Sequence, residues 1–239
     1  MRGVMKFLRF AVVVLVIVLI LGLAAVAVGY LRRSPDLQKR TELNAASSTA
    51  FHPASTTQRY RLDASQSKFI AHAMAGGLLW FKGHDHLIAV RDFNGEAQLT
   101  PDQISPASLE IIAKSSSMIE TSSVFTDQQK QIIDKELREI VLLPDQYPDI
   151  VFRSTQVSGK KSGDNQYDLN ITGNLTLHGV TRQITIPTKL NLTGGDVRAV
   201  GEFSIDRGDF NVKATSAVHG LVRVRDKIKF TFEIVGHRV

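Results

Sequence analysis

Leu169, Ile171, Leu175 and Leu177 fall on alternate positions of one stretch, and Asn170, Thr172, Asn174 and Thr176 fall between them. A period of two sends successive side chains to opposite faces of an extended chain, so residues 169–177 predict a long, half-buried strand. His178-Gly179 follows, and Ile184 and Ile186 soon resume the alternation. Leu175 to Arg182 therefore reads as a strand, a glycine turn and a second strand. A chain organised around such a hairpin is directed to antiparallel β-structure.

The same period recurs over most of residues 59–239. Ile228, Phe230, Phe232 and Ile234 alternate with polar neighbours, as do Ile184, Ile186, Leu190 and Leu192. Val197, Ala199, Gly201, Phe203 and Ile205 form another inward set. Further strands are expected at 67–74, 86–90, 93–99, 107–114 and 149–157. Gly76-Gly77, Asn94-Gly95, Pro101-Asp102, Gly194-Gly195 and Arg207-Gly208 supply turn signals. One helix interrupts the strands: Ile133, Leu137, Ile140 and Val141 share a helical face, Thr126 with Gln129 offers a capping box, and Pro144 stops it. Many long strands, each with one apolar face, stack as a sandwich or close into a barrel. Inward Gly173, Gly201, Ala71 and Ala73 lie among inward phenylalanines. Such pairs either leave a cavity or interdigitate into solid core, and both readings stay open at this level.

The N-terminal region differs in kind. Phe10 to Tyr30 is an uncharged, mostly aliphatic run of 21 residues, preceded by Arg2, Lys6 and Arg9. About 20 apolar residues span a bilayer core. Residues 1–31 are therefore expected to form an uncleaved signal-anchor helix; the alternative is a cleaved signal peptide, with Ala25-Val26-Ala27 as the cleavage site. Basic residues on both sides of the run leave its orientation open. Residues 32–58, rich in Ser, Thr, Ala and Asn, read as a flexible linker.

The net charge of +6 sits mostly in this region, where residues 1–58 carry seven Lys/Arg and two acids. The remainder is nearly balanced, which argues against nucleic acid as a partner. The chain contains no cysteine, so disulfides and thiolate metal sites are excluded.

Four segments, in order, resemble motifs of the YceI-like proteins, a lipocalin-like, lipid-binding and usually exported family. Arg59-Tyr60-Arg61-Leu62-Asp63 resembles the opening strand, and Gln146 to Ser154 resembles the strand after the helix. Asn174 to Val180 resembles the hairpin, and Phe203 to Phe210 a later turn. The resemblance covers about residues 59–236. It implies a closed antiparallel β-barrel over residues 59–239, with a long apolar cavity for an isoprenoid, quinone-like or related amphiphile. It also implies a periplasmic or outer-surface location; with the apolar run as anchor the domain is expected in the periplasm on the inner membrane, or secreted if the leader is cleaved. Within such a barrel, Phe69, Phe152, Leu175, Phe203, Phe230 and Phe232 are the expected cavity lining, with His178 and Trp80 at the rim. Gly83-His84-Asp85-His86-Leu87 departs from the family pattern.

Several features admit a second reading. His84 and His86 lie two apart, and with His72 or Asp85 they suit zinc or copper; alternatively they hydrogen-bond a turn at the barrel mouth. That metal reading would make the domain a metal-binding or electron-transfer accessory. His178 is either a rim group meeting a ligand or a turn residue bonding backbone. Arg207 is expected to pair with Asp206 and Asp209. Trp80 and Phe81 are either a lid or membrane-facing tip, or a strand end packed on the core. No G-x-S-x-G elbow and no glycine-rich phosphate loop is present. The expectation is a binding protein rather than an enzyme, with no required cofactor and no metal. Its expected partners are a lipid ligand and the membrane; a homodimer is compatible with the sequence. A barrel with a filled core and no ligand is the remaining alternative.

Overall fold

A computed structural model describes residues 56–239 apart from 218 and 220. The expected anchor, residues 1–31, and most of the expected linker, 32–58, lie outside the described residues. Eleven strands form one antiparallel sheet. In chain order they are β1 (Gln58–Gly76), β2 (His86–Val90), β3 (Phe93–Leu99), β4 (Ala107–Lys114), β5 (Met118–Glu120) and β6 (Asp149–Gly163). β7 (Gln166–Leu177), β8 (Val180–Thr193), β9 (Asp196–Asp206), β10 (Ser216–Ala217) and β11 (Val222–Arg238) complete it. β1 pairs with β11, so β1, β3, β4, β6, β7, β8, β9 and β11 close an eight-stranded barrel. Closure pairs the edges that a sandwich would leave open.

Several strands run further than the alternation predicted. β1 carries 19 residues where 67–74 was expected, and β6 reaches Gly163. A register shift between Asp63 and Lys68 lets β1 change partners. Before it, Gln58–Arg61 pair with β3; beyond it, Ile70–Ala73 pair with β2. The seam is held by side chains as well. Asp63 accepts from the Ser65 hydroxyl, the Ser65 N–H and Gln66, while His237 on β11 bridges Asp63 and Asp196.

The barrel has two distinct ends. One carries the His178-Gly179 turn, the turn Arg207–Phe210, the β1–β2 connection and helix α1 (Asp127–Glu136). The far end carries the start of β1 and the end of β11. Thr126 and Gln129 form the expected capping box on α1. The helix then widens into a π-helical turn, Leu137–Leu142, and ends at Leu143 with φ 48°. That turn corrects the predicted apolar face. A wider turn rotates every later side chain relative to an α-helix, so Ile140 is exposed while Leu142 is buried.

Inside the barrel, glycines accommodate aromatic rings. A Cβ on Gly173 would lie 2.6 Å from Phe152 Cζ, and one on Gly201 would lie 2.6 Å from Phe232 Cζ. At these two positions small and large residues interdigitate. Open space is found elsewhere along the axis.

Candidate functional site

Two apolar cavities lie end to end in the barrel. The one at the far end has a volume of about 150 Å³, and the one at the helix end about 170 Å³. Phe69, Ala113, Ile150, Leu175 and Phe203 line both, so these residues form a waist between them. Phe152 and Phe232 face the far cavity, and Phe230 faces the helix-end cavity. The six residues expected as lining thus all lie on cavity walls. Phe203 stacks on Phe230 with centroids 4.9 Å apart, and Phe69 meets Phe230 and Phe232 edge-on at 6.0 and 6.3 Å. Eight strands give a barrel that side chains just fill or that holds one small ligand. Here alanines at 71, 73, 97, 107, 113 and 199 leave wall that larger side chains would have occupied.

The helix-end cavity is closed over by Ile133, Glu136 and Leu137 of α1 and its π-helical turn, and by Val212 to Thr215. Acidic, basic and imidazole side chains are found here: His86, Glu136, Arg207 and Lys213 line this end, whereas the polar side chains of the far cavity are the neutral Gln98, Gln103, Ser108, Tyr167 and Thr188. His86 is held from behind. Its Nδ1 lies 2.8 Å from Glu120 Oε2, and its ring stacks on Phe125 with centroids 5.1 Å apart. The Glu120 side chain is fully buried and also accepts from the N–H groups of Leu87 and Ser122. Burial alone would push this carboxyl up; His86 and the two N–H groups outweigh it and hold it below the usual range. A carboxylate on one ring nitrogen fixes the orientation of the imidazole and leaves Nε2 for another partner.

The other predicted residues are placed as follows. His178 sits in the β7–β8 turn at φ 51°, tilted against the Tyr147 ring with centroids 4.1 Å apart, and neither ring nitrogen has a partner. Burial and the charge of Lys213 lower its pKa. Trp80 lies in a short helical turn, Trp80–Lys82, that is exposed at the helix end. His84 meets Phe125 edge-on. His72 bonds Thr231 Oγ1 at 2.9 Å, and Asp85 accepts the Ala75 N–H, so neither joins His84 and His86. Among the described residues, no group of three or more His, Asp or Glu is arranged to hold a metal ion.

Arg207 requires a correction. Its guanidinium bonds Asp226 at 2.5 Å and the Val212 carbonyl at 2.8 Å, not the expected Asp206 and Asp209. Cross-strand pairing of β9 with β11, which sets Lys227 opposite Asp206, brings Asp226 beside the turn. Glu120, Glu136 and Lys213 were not anticipated. The one signal for Glu120 was an acid directly following the apolar pair Met118-Ile119.

This arrangement favours capture of an apolar chain. Each 100 Å² of apolar surface removed from water contributes about 2.5 kcal/mol. The charged side chains that could add specificity lie at the helix end.

Residues 60–236 match the YceI-like domain family. Protein YceI of Escherichia coli is 37% identical over 150 residues, covering 59% of this chain and 72% of that protein. The Shigella flexneri protein of the same name is 36% identical with the same coverage. BcnA of Burkholderia cenocepacia shares the fold at a TM-score of 0.56 and 20% identity, over 73% of this chain and 98% of that one. A polyisoprenoid binding domain from Saccharophagus degradans, implicated in plant cell wall breakdown, has a TM-score of 0.52 at 11% identity. That likeness covers 75% of this chain and 98% of the other.

Proposed function

The chain belongs to the YceI-like family, and on that premise we propose that it binds an isoprenoid or similar amphiphilic lipid within its barrel. The observation that carries the reading is the pair of apolar cavities joined at a five-residue waist, with acidic, basic and imidazole side chains at one end only. A chain threaded along the axis would bury its surface against Phe69, Leu175 and Phe203, with its head near His86 and Lys213. The fold shared with the Saccharophagus degradans polyisoprenoid binding domain supports the same ligand class. We place the domain outside the cytoplasm, tethered by the apolar run of residues 10–30, as a carrier or accessory to reactions of membrane lipids. Binding, not catalysis, is the role.

Native mass spectrometry of the purified chain, released from mild detergent, tests this directly. The expected spectrum contains an adduct whose mass and fragmentation are those of an isoprenoid lipid. A spectrum of bare protein, with no uptake of added isoprenoid alcohol or quinone, would reject the reading.

A further inference from the structure

We propose that the β1–β2 connection is a membrane-docking tip, which sets the helix end of the barrel against a bilayer containing anionic lipid. Leu78, Trp80 and Phe81 are 75%, 56% and 63% exposed. Such exposure of three large apolar side chains in four residues is unusual on a surface that meets only water. The loop does not trail loosely. Leu79 N–H donates to the Leu221 carbonyl at 2.9 Å, and Lys82 N–H and Gly83 N–H donate back to Leu79 and Trp80. The Trp80 and Phe81 rings meet edge-on at 6.4 Å. Leu221, on the adjoining segment, is also exposed and extends the apolar surface.

The chemistry around the tip selects a lipid surface. Lys82 and Arg223 are exposed beside it and have no carboxylate partner among the described residues. Of the neighbouring acids, Asp226 is paired with Arg207, while Asp85 keeps its charge and is turned back onto the Ala75 N–H. Aromatic and aliphatic side chains flanked by Lys82 and Arg223 match a bilayer interface, where indole and phenyl rings sit at head-group depth. The asymmetry of the barrel points the same way. Val124, Ile132 and Ile140 are exposed at the helix end as well, whereas the other exposed large aliphatics among the described residues are Val200 and Val239. The tip also stands at the end whose cavity carries His86, Glu136, Arg207 and Lys213, so docking would put that end where amphiphiles reside.

The tether allows this. Under the proposed anchor, 27 residues separate Tyr30 from Gln58. They reach about 90 Å when extended. β1, which runs from the far end to the tip, is 19 residues long, or at most about 63 Å.

Trp80 is the chain's one tryptophan, so it reports its own surroundings. The full chain, reconstituted in phosphatidylcholine vesicles with and without phosphatidylglycerol, gives the test. With phosphatidylglycerol, Trp80 emission is expected to shift to the blue, to be quenched by lipids brominated along the acyl chain, and to be shielded from acrylamide. Lys82→Gln and Arg223→Gln are each expected to lower the ratio of docked to undocked chain about fivefold, as loss of one surface cation does. Both residues are exposed, and unchanged circular dichroism checks that the variants fold. Trp80 emission that stays at the aqueous wavelength, open to acrylamide, overturns the proposal. So does a blue shift that needs protein concentration and no lipid, which would assign the patch to a second copy of the chain. The same samples, analysed for bound isoprenoid, keep the two readings apart: isoprenoid in the barrel with an aqueous Trp80 overturns docking alone, and a bilayer-buried Trp80 on an empty barrel overturns lipid binding alone.

Discussion

His237 and His178 lie at opposite ends of the barrel and titrate in opposite directions. His237 lies 2.9 Å from Asp196 and 3.3 Å from Asp63, and these carboxylates raise its pKa. Its contribution to stability is full below the unfolded value of about 6.5 and is lost as pH rises through the higher folded value. His178 is pushed the other way by burial and by Lys213. The unfolded chain therefore takes up a proton before the folded one does, and stability falls as pH drops from about 6.5 towards the lower folded value. Proton NMR is expected to show His178 titrating below a model imidazole and His237 above it. His237→Asn should flatten the alkaline loss of stability, and His178→Asn the acid loss. Coincident titrations near the ordinary value would defeat both arguments. Asp63 adds a more acidic limb: the Ser65 hydroxyl, outweighing burial, with further help from the Ser65 N–H, Gln66 and His237, holds its carboxyl at about 2. The stability it adds is present above the ordinary aspartate range and is lost as pH falls through that value.

At the scale of the strand, Gly201 is required by what crosses it. A Cβ there would lie 2.3 Å from the Pro187 carbonyl oxygen and 2.6 Å from Phe232 Cζ. The oxygen belongs to the neighbouring strand and cannot rotate away, so β8 and β9 would have to part. Gly201→Ala is expected to cost about 3 kcal/mol in urea denaturation, the upper end for an overpacked core; a loss below about 0.5 kcal/mol, ordinary for a surface change, would show that the strands yield easily. This position also marks how far sequence reasoning reaches. Gly201 was legible as an inward residue, because alternation needs only its neighbours in the chain. The ring of Phe232 that lies over it depends on the pairing of β11 with β9, which local periodicity does not specify. The same limit explains Arg207, whose partner Asp226 is 19 residues away, and Glu120, whose three-residue strand is too short to show a period. Ile140 left the predicted apolar face for a different reason: a π-helical turn follows from how the helix end packs, and carries no local signature here. The strands and the phenylalanines facing inward were therefore readable, while the partners of Arg207 and His86 were not.

For the molecule as a whole, the consequential feature is that the interior is divided. Two cavities meet at Phe69, Ala113, Ile150, Leu175 and Phe203, so a ligand longer than one cavity must pass the waist. Ala113 is its smallest member, 4% exposed, on β4. Ala113→Leu places three more carbons where the two spaces join. Burying them in existing space offsets the crowding, since each added methylene contributes about 0.8 kcal/mol against an overpacking penalty of about 1–3 kcal/mol. The apo barrel is therefore expected to melt within a few degrees of the unchanged chain. Ligand length then separates the outcomes. A long isoprenoid should lose at least about tenfold in affinity, or about 1.4 kcal/mol, because it can no longer thread both cavities. A short one, seated wholly at the helix end, should bind nearly as before. Undiminished binding of the long chain by a variant that remains folded would mean that the ligand occupies one cavity only, and that the waist is a partition rather than a passage.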